Sequence, residues 1–412
     1  MLCAPTHNNK DHRPDLKQLL WILTVSADGA VPVHFKVTDG NTEDSTTHLE
    51  TWTVLRALVG SADFLYVADS KLCTRETLKH IHEQGGRFLT VLPRTRQEDA
   101  RFKAWLQAHT PAWTEVARKP DPRRPHGPLD VFRACPAPIP DADGFRLIWY
   151  ESSQKMERDA QVRRDAIQAA GTALDELAAR LQGPRPRFRT RAAVAGAVER
   201  LLAAHGATRW VTYEVGVVEE ASFRQEKRGR PGTATRWRRR LKTRFRLTWA
   251  LRETQTAADA RTDGLFPLLT NDPTLTAGQL LEAYKSKQPL VEKRHDLLKN
   301  VEGATPVYLK SISRIEALLC LHFVALLVHA LIERDVRAAM ARKAIPELPL
   351  YPEDRVCKAP SAARILEIFG SLQQHVLGKT GQVIQRFDPD LTPLQRKLLS
   401  CLGVSPAAFL NV

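Results

Sequence analysis

Acid is what this sequence has least of relative to its other charges. Its 46 Asp and Glu stand against 61 Lys and Arg, a formal charge of +15, which disfavours an acidic small molecule as partner and favours a polyanion, nucleic acid first. Six cysteines, Cys3, Cys73, Cys135, Cys320, Cys357 and Cys401, are scattered without a C-x-x-C pair or matching histidine spacing. That excludes a zinc knuckle and a disulfide framework and fits a reducing cytoplasm. The opening stretch MLCAPTHNNKDHRPD lacks the apolar segment of a secretory signal. The longest apolar run, ALLCLHFVALLVHALI, is 16 residues long, contains His322 and His329, and lies between Arg314 and Arg334. A membrane span needs roughly 20 apolar residues, so the run predicts a buried core helix and no membrane. His12, His34, His80, His82 and His295 form no i, i+4 pair around a glutamate, Ser70 has no G-x-S-x-G context, and Cys73 has no surroundings that would lower its pKa. A histidine-based hydrolase, an esterase and a thiol enzyme are thereby disfavoured.

What is present is enough chain, 412 residues at 43% hydrophobic, for two or three domains with a substantial core. QLLWILTVSADGAVPVHFKVTDGNT holds two apolar runs around Ala27, Asp28 and Gly29, a hairpin signal. THLETWTVLRAL has helical spacing, FLYVADS reads as a strand, RETLKHIHEQGG as a helix closed by glycines, and RFLTVLP as a strand ended by Pro93. That order predicts an α/β core with helices against a mixed sheet. From residue 95 to 262 the character changes. Pro/Arg-rich connectors frame a strand, FRLIWYESS, a long charged helix over Gln154–Leu181, and two further strands around a Gly/Arg-rich turn. The segment is too long for a loop and predicts an inserted α+β domain carrying a basic hairpin. DGLFPLLTND restores the α/β pattern, a helix with Pro289 inside it follows, and then the long apolar helix. The expected division is 1–94, 95–262, 263–345 and a helical tail over 346–412.

The acids need an explanation. In FLYVADSKLCT a buried strand runs into Asp69. A carboxylate there is either a helix N-cap, where Asp and Ser are favoured, or a ligand held at a strand's carboxyl end. Glu292 and Lys299 are seven residues apart, so on a straight helix they lie within about 20° of each other. An exposed charged helix accounts for that equally well.

Read together and in order, NNKDHRPDLKQLLWILTVSADGAVPVHFKVTDGNTEDST, FLYVADSKLCT, DGLFPLLTND and AYKSKQPLVEKRHDLLK resemble the insertion-sequence transposases of the DDE class. The group in question has a Tyr-Arg-Glu-Lys signature around its last acid and a long insertion within an RNase H-like catalytic domain. The resemblance runs from about Lys10 to Arg342. It implies that Asp69 is the second catalytic acid and metal ligand, that Glu292 is the last, and that Tyr284, Lys287 and Lys299 are the accompanying Tyr, basic residue and Lys. Eight steps separate Tyr284 from Glu292 where the signature has seven, so Lys287 matches its position least well.

The chemistry of that class requires such residues. Cutting a phosphodiester needs a deprotonated nucleophile, an in-line leaving oxygen and neutralised phosphate charge, which two Mg²⁺ ions about 3.5 to 4 Å apart can provide; Mn²⁺ is the expected substitute. Magnesium takes oxygen ligands and keeps several waters, so a few carboxylates from separate elements suffice. The resemblance places the first acid on a strand upstream of KDHRPDLKQ. Nothing acidic precedes Lys10, and Asp11 and Asp15 follow that point. The expectation is a truncated, impaired enzyme with weak metal binding, or else a non-catalytic DNA-binding remnant.

The DNA-binding signal is independent. FRQEKRGRPGTATRWRRRLKTRFR, residues 223–246, holds eleven Lys and Arg with Phe223, Trp237 and Phe245 between them. Arg228 and Arg230 flank Gly229 ahead of Pro231 in a pattern like the core of an AT-hook, which lays arginines into a narrow minor groove. Arg236, Arg238, Arg239, Arg240, Lys242 and Arg244 are expected to release counterions on double-stranded DNA. The implied partners are the element's terminal inverted repeats, target DNA and a second copy of the chain, in a bacterial cytoplasm at the nucleoid.

Overall fold

The computed structural model of the chain describes residues 19–40, 42, 44–120, 127–183, 188–301, 307–379 and 382–410. Along the chain run β1 (Leu19–Val25), β2 (Pro32–Asp39), α1 (Asp44–Val59), β3 (Leu65–Val67), α2 (Arg75–Glu83), β4 (Arg87–Val91), α3 (Gln97–Ala108), β5 (Thr114–Lys119), β6 (Asp130–Pro136), β7 (Arg146–Ser152), α4 (Ser153–Gln182) and α5 (Arg191–Ala204). Then come β8 (Val211–Gln225), β9 (Trp237–Leu251), α6 (Glu253–Ala260), β10 (Leu265–Thr270), α7 (Ala277–Asp296), α8 (Ile312–Arg342), α9 (Ala362–Phe369), β11 (His375–Lys379), β12 (Gln382–Phe387), α10 (Pro393–Leu402) and α11 (Pro406–Leu410). The class is mixed α/β, as the alternating patterns predict. Six strands form one mixed sheet in the order β3, β4, β10, β7, β6, β5, whereas β1 and β2 form a sheet of their own.

Two compact units divide the chain: residues 1–90 with 279–412, and residues 91–278. The expected insertion ended at residue 262, yet residues up to 278 group with it. The reason is pairing: β10 runs antiparallel to β7 over its whole length, Leu265 opposite Glu151 through Thr270 opposite Arg146. β5, β6 and β7 therefore extend a sheet rather than build a separate one.

In the first unit, the β1–β2 hairpin closes through a turn in which Gly29 takes φ of 147°, a conformation open to glycine. Trp21 and Leu23 point inward and pack with Leu298, Ile315, Leu319 and Leu326. β3 and β4 are parallel, Leu65 opposite Arg87, with α2 supplying the intervening crossover. The end of α8 forms a further core with α9 and α10, where Val336, Leu348, Ile365 and Leu398 are buried.

α8 departs from the expected buried core helix. At 31 residues it is long and apolar enough to cross a membrane, and only a stripe of it, including Ile315, Leu319, Leu326 and Ala330, is buried. Leu321, Val324 and Val328 stay exposed. A helix packed on one side buries one stripe of its circumference. The tail over 346–412 is helical as expected, but also carries the fully exposed β11–β12 hairpin.

In the second unit, α4 and α5 cover the base of the β8–β9 hairpin, burying Leu174, Leu181, Val194, Val198, Val211, Val215, Phe245 and Leu247. Arg163 on α4 donates two hydrogen bonds to Asp263, each 2.7 Å, within a buried pair. That fork fixes α4 to the turn ahead of β10, and its two parallel bonds specify orientation as well as position.

Candidate active site and basic arm

Asp69 stands just past β3. The parallel pairing with β4 continues through the Ala68 amide, which donates to the Leu89 carbonyl, and the Thr90 hydroxyl donates to the Asp69 carbonyl at 2.6 Å. The main chain of Asp69 is thus held by the neighbouring strand. Its carboxylate caps a short 3₁₀ turn, Ser70–Leu72, by accepting from the Lys71 amide at 2.9 Å. The N-cap reading therefore holds for this acid. Asp69 nonetheless remains exposed, and one capping bond occupies one of several acceptor sites on a carboxylate.

Beneath it lies a residue that sequence reasoning missed. Tyr66 is buried on β3, and its hydroxyl shares a 3.0 Å hydrogen bond with His48 Nδ1 on α1. Burial, and then the Asp69 charge, push the Tyr66 phenol pKa upward. The apolar run of FLYVADS marks β3 as a buried strand, but nothing in THLETW marks His48 as the partner of Tyr66.

The other acid is on α7. Pro289 lies inside this helix, and since it cannot donate to the carbonyl four residues back it interrupts the hydrogen-bond ladder. Tyr284 precedes Pro289, and Glu292 follows it on the exposed surface. Burial pushes the Tyr284 phenol pKa up to about 12, and two further charges add to the shift, Asp69 and Glu292. Two carboxylates 223 positions apart in sequence therefore bear on one hydroxyl, and all three residues belong to the first unit.

Lys299 does not sit as expected of a straight helix. α7 widens at Leu297–Val301 into a π turn, whose i→i+5 bonding alters the seven-residue alignment with Glu292. Lys299 is close enough to His295 to act on it: burial first, and then the Lys299 charge, lower the His295 pKa. The His295 ring meets Trp21 edge-on at 5.6 Å. Lys287 is on α7, but its side chain lies outside the described residues, as do Asp11 and Asp15.

One cation of VEKRHDLLK has an unforeseen role. Arg294 is buried; its Nε donates to the Ala30 carbonyl at 3.0 Å and its Nη2 to the Gly29 carbonyl at 3.1 Å. The same Nη2 pairs with Glu333 Oε2 on α8 at 3.0 Å. Glu333 Oε1 accepts from the Ala362 amide at 3.1 Å. One guanidinium thus clasps α7 to the hairpin turn and to α8.

The basic segment forms the outer part of a long ribbon. β8 and β9 pair antiparallel through all fifteen residues of each, Val211 opposite Leu251 to Gln225 opposite Trp237. Alternate residues share a face, so Arg238, Arg240, Lys242, Arg244 and Arg246 line one side together with Arg224. Arg224 stands directly opposite Arg238, an arrangement that costs stability unless an anion offsets it. Arg239 belongs to the other side, a correction to its grouping with Arg238 and Arg240. Arg244 is also corrected: its Nε pairs with Glu220 at 2.6 Å and its Nη1 donates to the Gln182 and Gly183 carbonyls, so it is committed within the fold. Arg228, Arg230 and Arg236 are exposed at the tip, where Gly229 takes φ of 155°.

Among the described residues no group of three or more His, Cys, Asp and Glu could hold a metal ion. No family model matches the chain, and no curated protein matches it in sequence.

Proposed function

We propose that the chain is a DNA strand-cleaving and strand-transferring protein of the transposase kind, with an RNase H-like core in which Asp69 and Glu292 are the working carboxylates. The observation that carries this reading is that both acids, one beyond a core strand and one on a helix remote in sequence, act on the same half-buried Tyr284 phenol. The mixed sheet flanked by helices, in which β3 and β4 run parallel, is compatible with it.

Two exposed carboxylates suit Mg²⁺ or Mn²⁺, which take oxygen donors and retain water in the remaining positions. Asp69 and Glu292 would hold the ion, which when bound would neutralise phosphate charge and lower the pKa of an attacking hydroxyl. Tyr284 keeps its proton at neutral pH and can donate a hydrogen bond to a phosphate oxygen. Lys299 supplies positive charge for the cleaved strand, and the ribbon holds duplex DNA. The protein acts in the cytoplasm on chromosomal DNA.

The test is nicking of a supercoiled plasmid carrying the DNA that flanks the gene. Nicking is expected with Mg²⁺ or Mn²⁺, and its loss in Asp69→Ala and in Glu292→Ala. Equal nicking after both substitutions would remove the site assignment. A second reading, a DNA-binding protein without chemistry, is favoured by the capping bond of Asp69. Salt-sensitive DNA retention without nicking under any divalent ion would select it.

A further inference from the structure

The ribbon has a second face, and its chemistry differs from the first. Val217, Glu219, Ala221 and Phe223 of β8 share it with Trp237, Arg239, Leu241 and Thr243 of β9. The same face is core at the ribbon's base, where α4 and α5 bury Val215, Phe245 and Leu247. Beyond Phe245 that cover ends. Val217 is 54% exposed, Phe223 64%, Trp237 52% and Leu241 54%. A two-stranded hairpin without a packed face is marginally stable in water, and a contiguous apolar patch of this kind marks an interaction surface.

We propose that this face docks against the same face of a second copy of the chain, pairing two ribbons into a short sandwich. Nucleic acid is better served by the opposite side, which carries Arg224, Arg238, Arg240, Lys242 and Arg246. The apolar side offers one cation and one anion, Arg239 and Glu219, within aliphatic and aromatic surface. Its occupant must supply apolar area, an acid for Arg239 and a base for Glu219, and the face itself carries all three. A two-fold axis at the Ala221–Leu241 pair places the Arg239 level of one copy on the Glu219 level of the other. It also sets Trp237 at the level of Val217. Such a contact is isologous and closed, each patch meeting its own copy. It turns the cationic sides of both ribbons outward. The inference does not depend on the reading of Asp69 and Glu292.

The experiment is light scattering of the full chain during size exclusion, with circular dichroism to confirm folding. The native chain is expected at twice the chain mass, and Trp237→Glu with Leu241→Glu at the single mass. Arg239→Glu alone and Glu219→Arg alone should each halve the mass, and combining them should restore it. A monomeric native chain, or a dimer that survives the Trp237 and Leu241 substitutions, overturns the proposal. So does a chain that stays monomeric while those substitutions abolish DNA binding, since the face would then be a nucleic-acid surface. Loss of nicking with the dimer intact would count against the catalytic reading alone.

Discussion

The acid site and the basic ribbon are built in opposite ways. Asp69 and Glu292 both raise the pKa of one phenol only because a parallel strand pair and a helix remote in sequence are folded together. The ribbon's cations line up because a strand places every second side chain on one side. The first arrangement depends on long-range clasps such as that of Arg294, whereas the second depends on register within one hairpin. Damage at a distance should therefore disable the site and spare the ribbon. Damage within the ribbon should act face by face.

The clasp gives the largest expected effect. Arg294→Ala removes the nearest cation of buried Glu333, which keeps the Ala362 amide and Arg337 at 3.6 Å, a loss of about 2 to 3 kcal/mol that chemical denaturation of the variant against the native chain will measure. DNA retention by the ribbon should persist in whatever fraction stays folded. If Arg294→Ala costs nothing, the contrast between remote and local construction fails at its first point.

Next is the meeting of charges at Tyr284. Its folded pKa of about 12 exceeds the ordinary phenol value near 10. The folded state thus keeps a proton that the unfolded chain loses. Stability from this group is intact below about pH 10 and falls as pH rises towards 12, by on the order of 2 kcal/mol. Denaturation of the native chain and of Tyr284→Phe across that range should differ accordingly. Asp69→Asn and Glu292→Gln should each move the phenolate absorbance of Tyr284 to lower pH. If only one of them does so, the two acids do not share the site.

His295 offers a smaller check of the same helix. Its depressed pKa means that its contribution is present above the ordinary histidine value and is lost as pH falls below it. Lys299→Gln should raise the His295 value in a proton NMR titration. An unmoved value would separate Lys299 from this part of the site.

Adjacent arginines give the finest discrimination. Arg240→Ala should reduce the slope of log affinity against log salt by about 0.9 on duplex DNA, while Arg239→Ala, on the other side of the pleat, should leave the slope unchanged. Arg244→Ala should also change it little, since Glu220 and the end of α4 already hold that guanidinium. Equal slopes for Arg239→Ala and Arg240→Ala would mean that the faces are not distinct.

Local patterns were readable where burial imposed them. The runs that became β1, β2, β4, β7 and β10, and the charged helix α4, carry apolar periodicity or clear caps. β11 and β12 do not, because all their residues are exposed and alternation has nothing to record. The outer half of the ribbon is harder to read: in TRWRRRLKTR the run of arginines masks the alternation of Trp237 and Leu241 with the cations, so the strands extend past what composition suggests. For the site, the positions of Asp69 and Tyr284 could be placed on elements in advance. Their convergence could not, because it depends on tertiary packing. The role of Arg294 was hidden too, as one cation among three in VEKRHDLLK, and the π turn at Leu297 altered an alignment that a straight helix would have kept.

The grip of Arg294 on the β1–β2 turn is taken on the peptide carbonyls of Gly29 and Ala30. Exchanging one amino acid for another at those positions cannot delete the acceptors. Lengthening or shortening the loop by one residue can. This corner is thus constrained twice, by the backbone at Gly29, where an added Cβ would meet Arg334, and by the length of the loop, and the helix bearing Glu292 inherits both rules from a bend about 260 positions away.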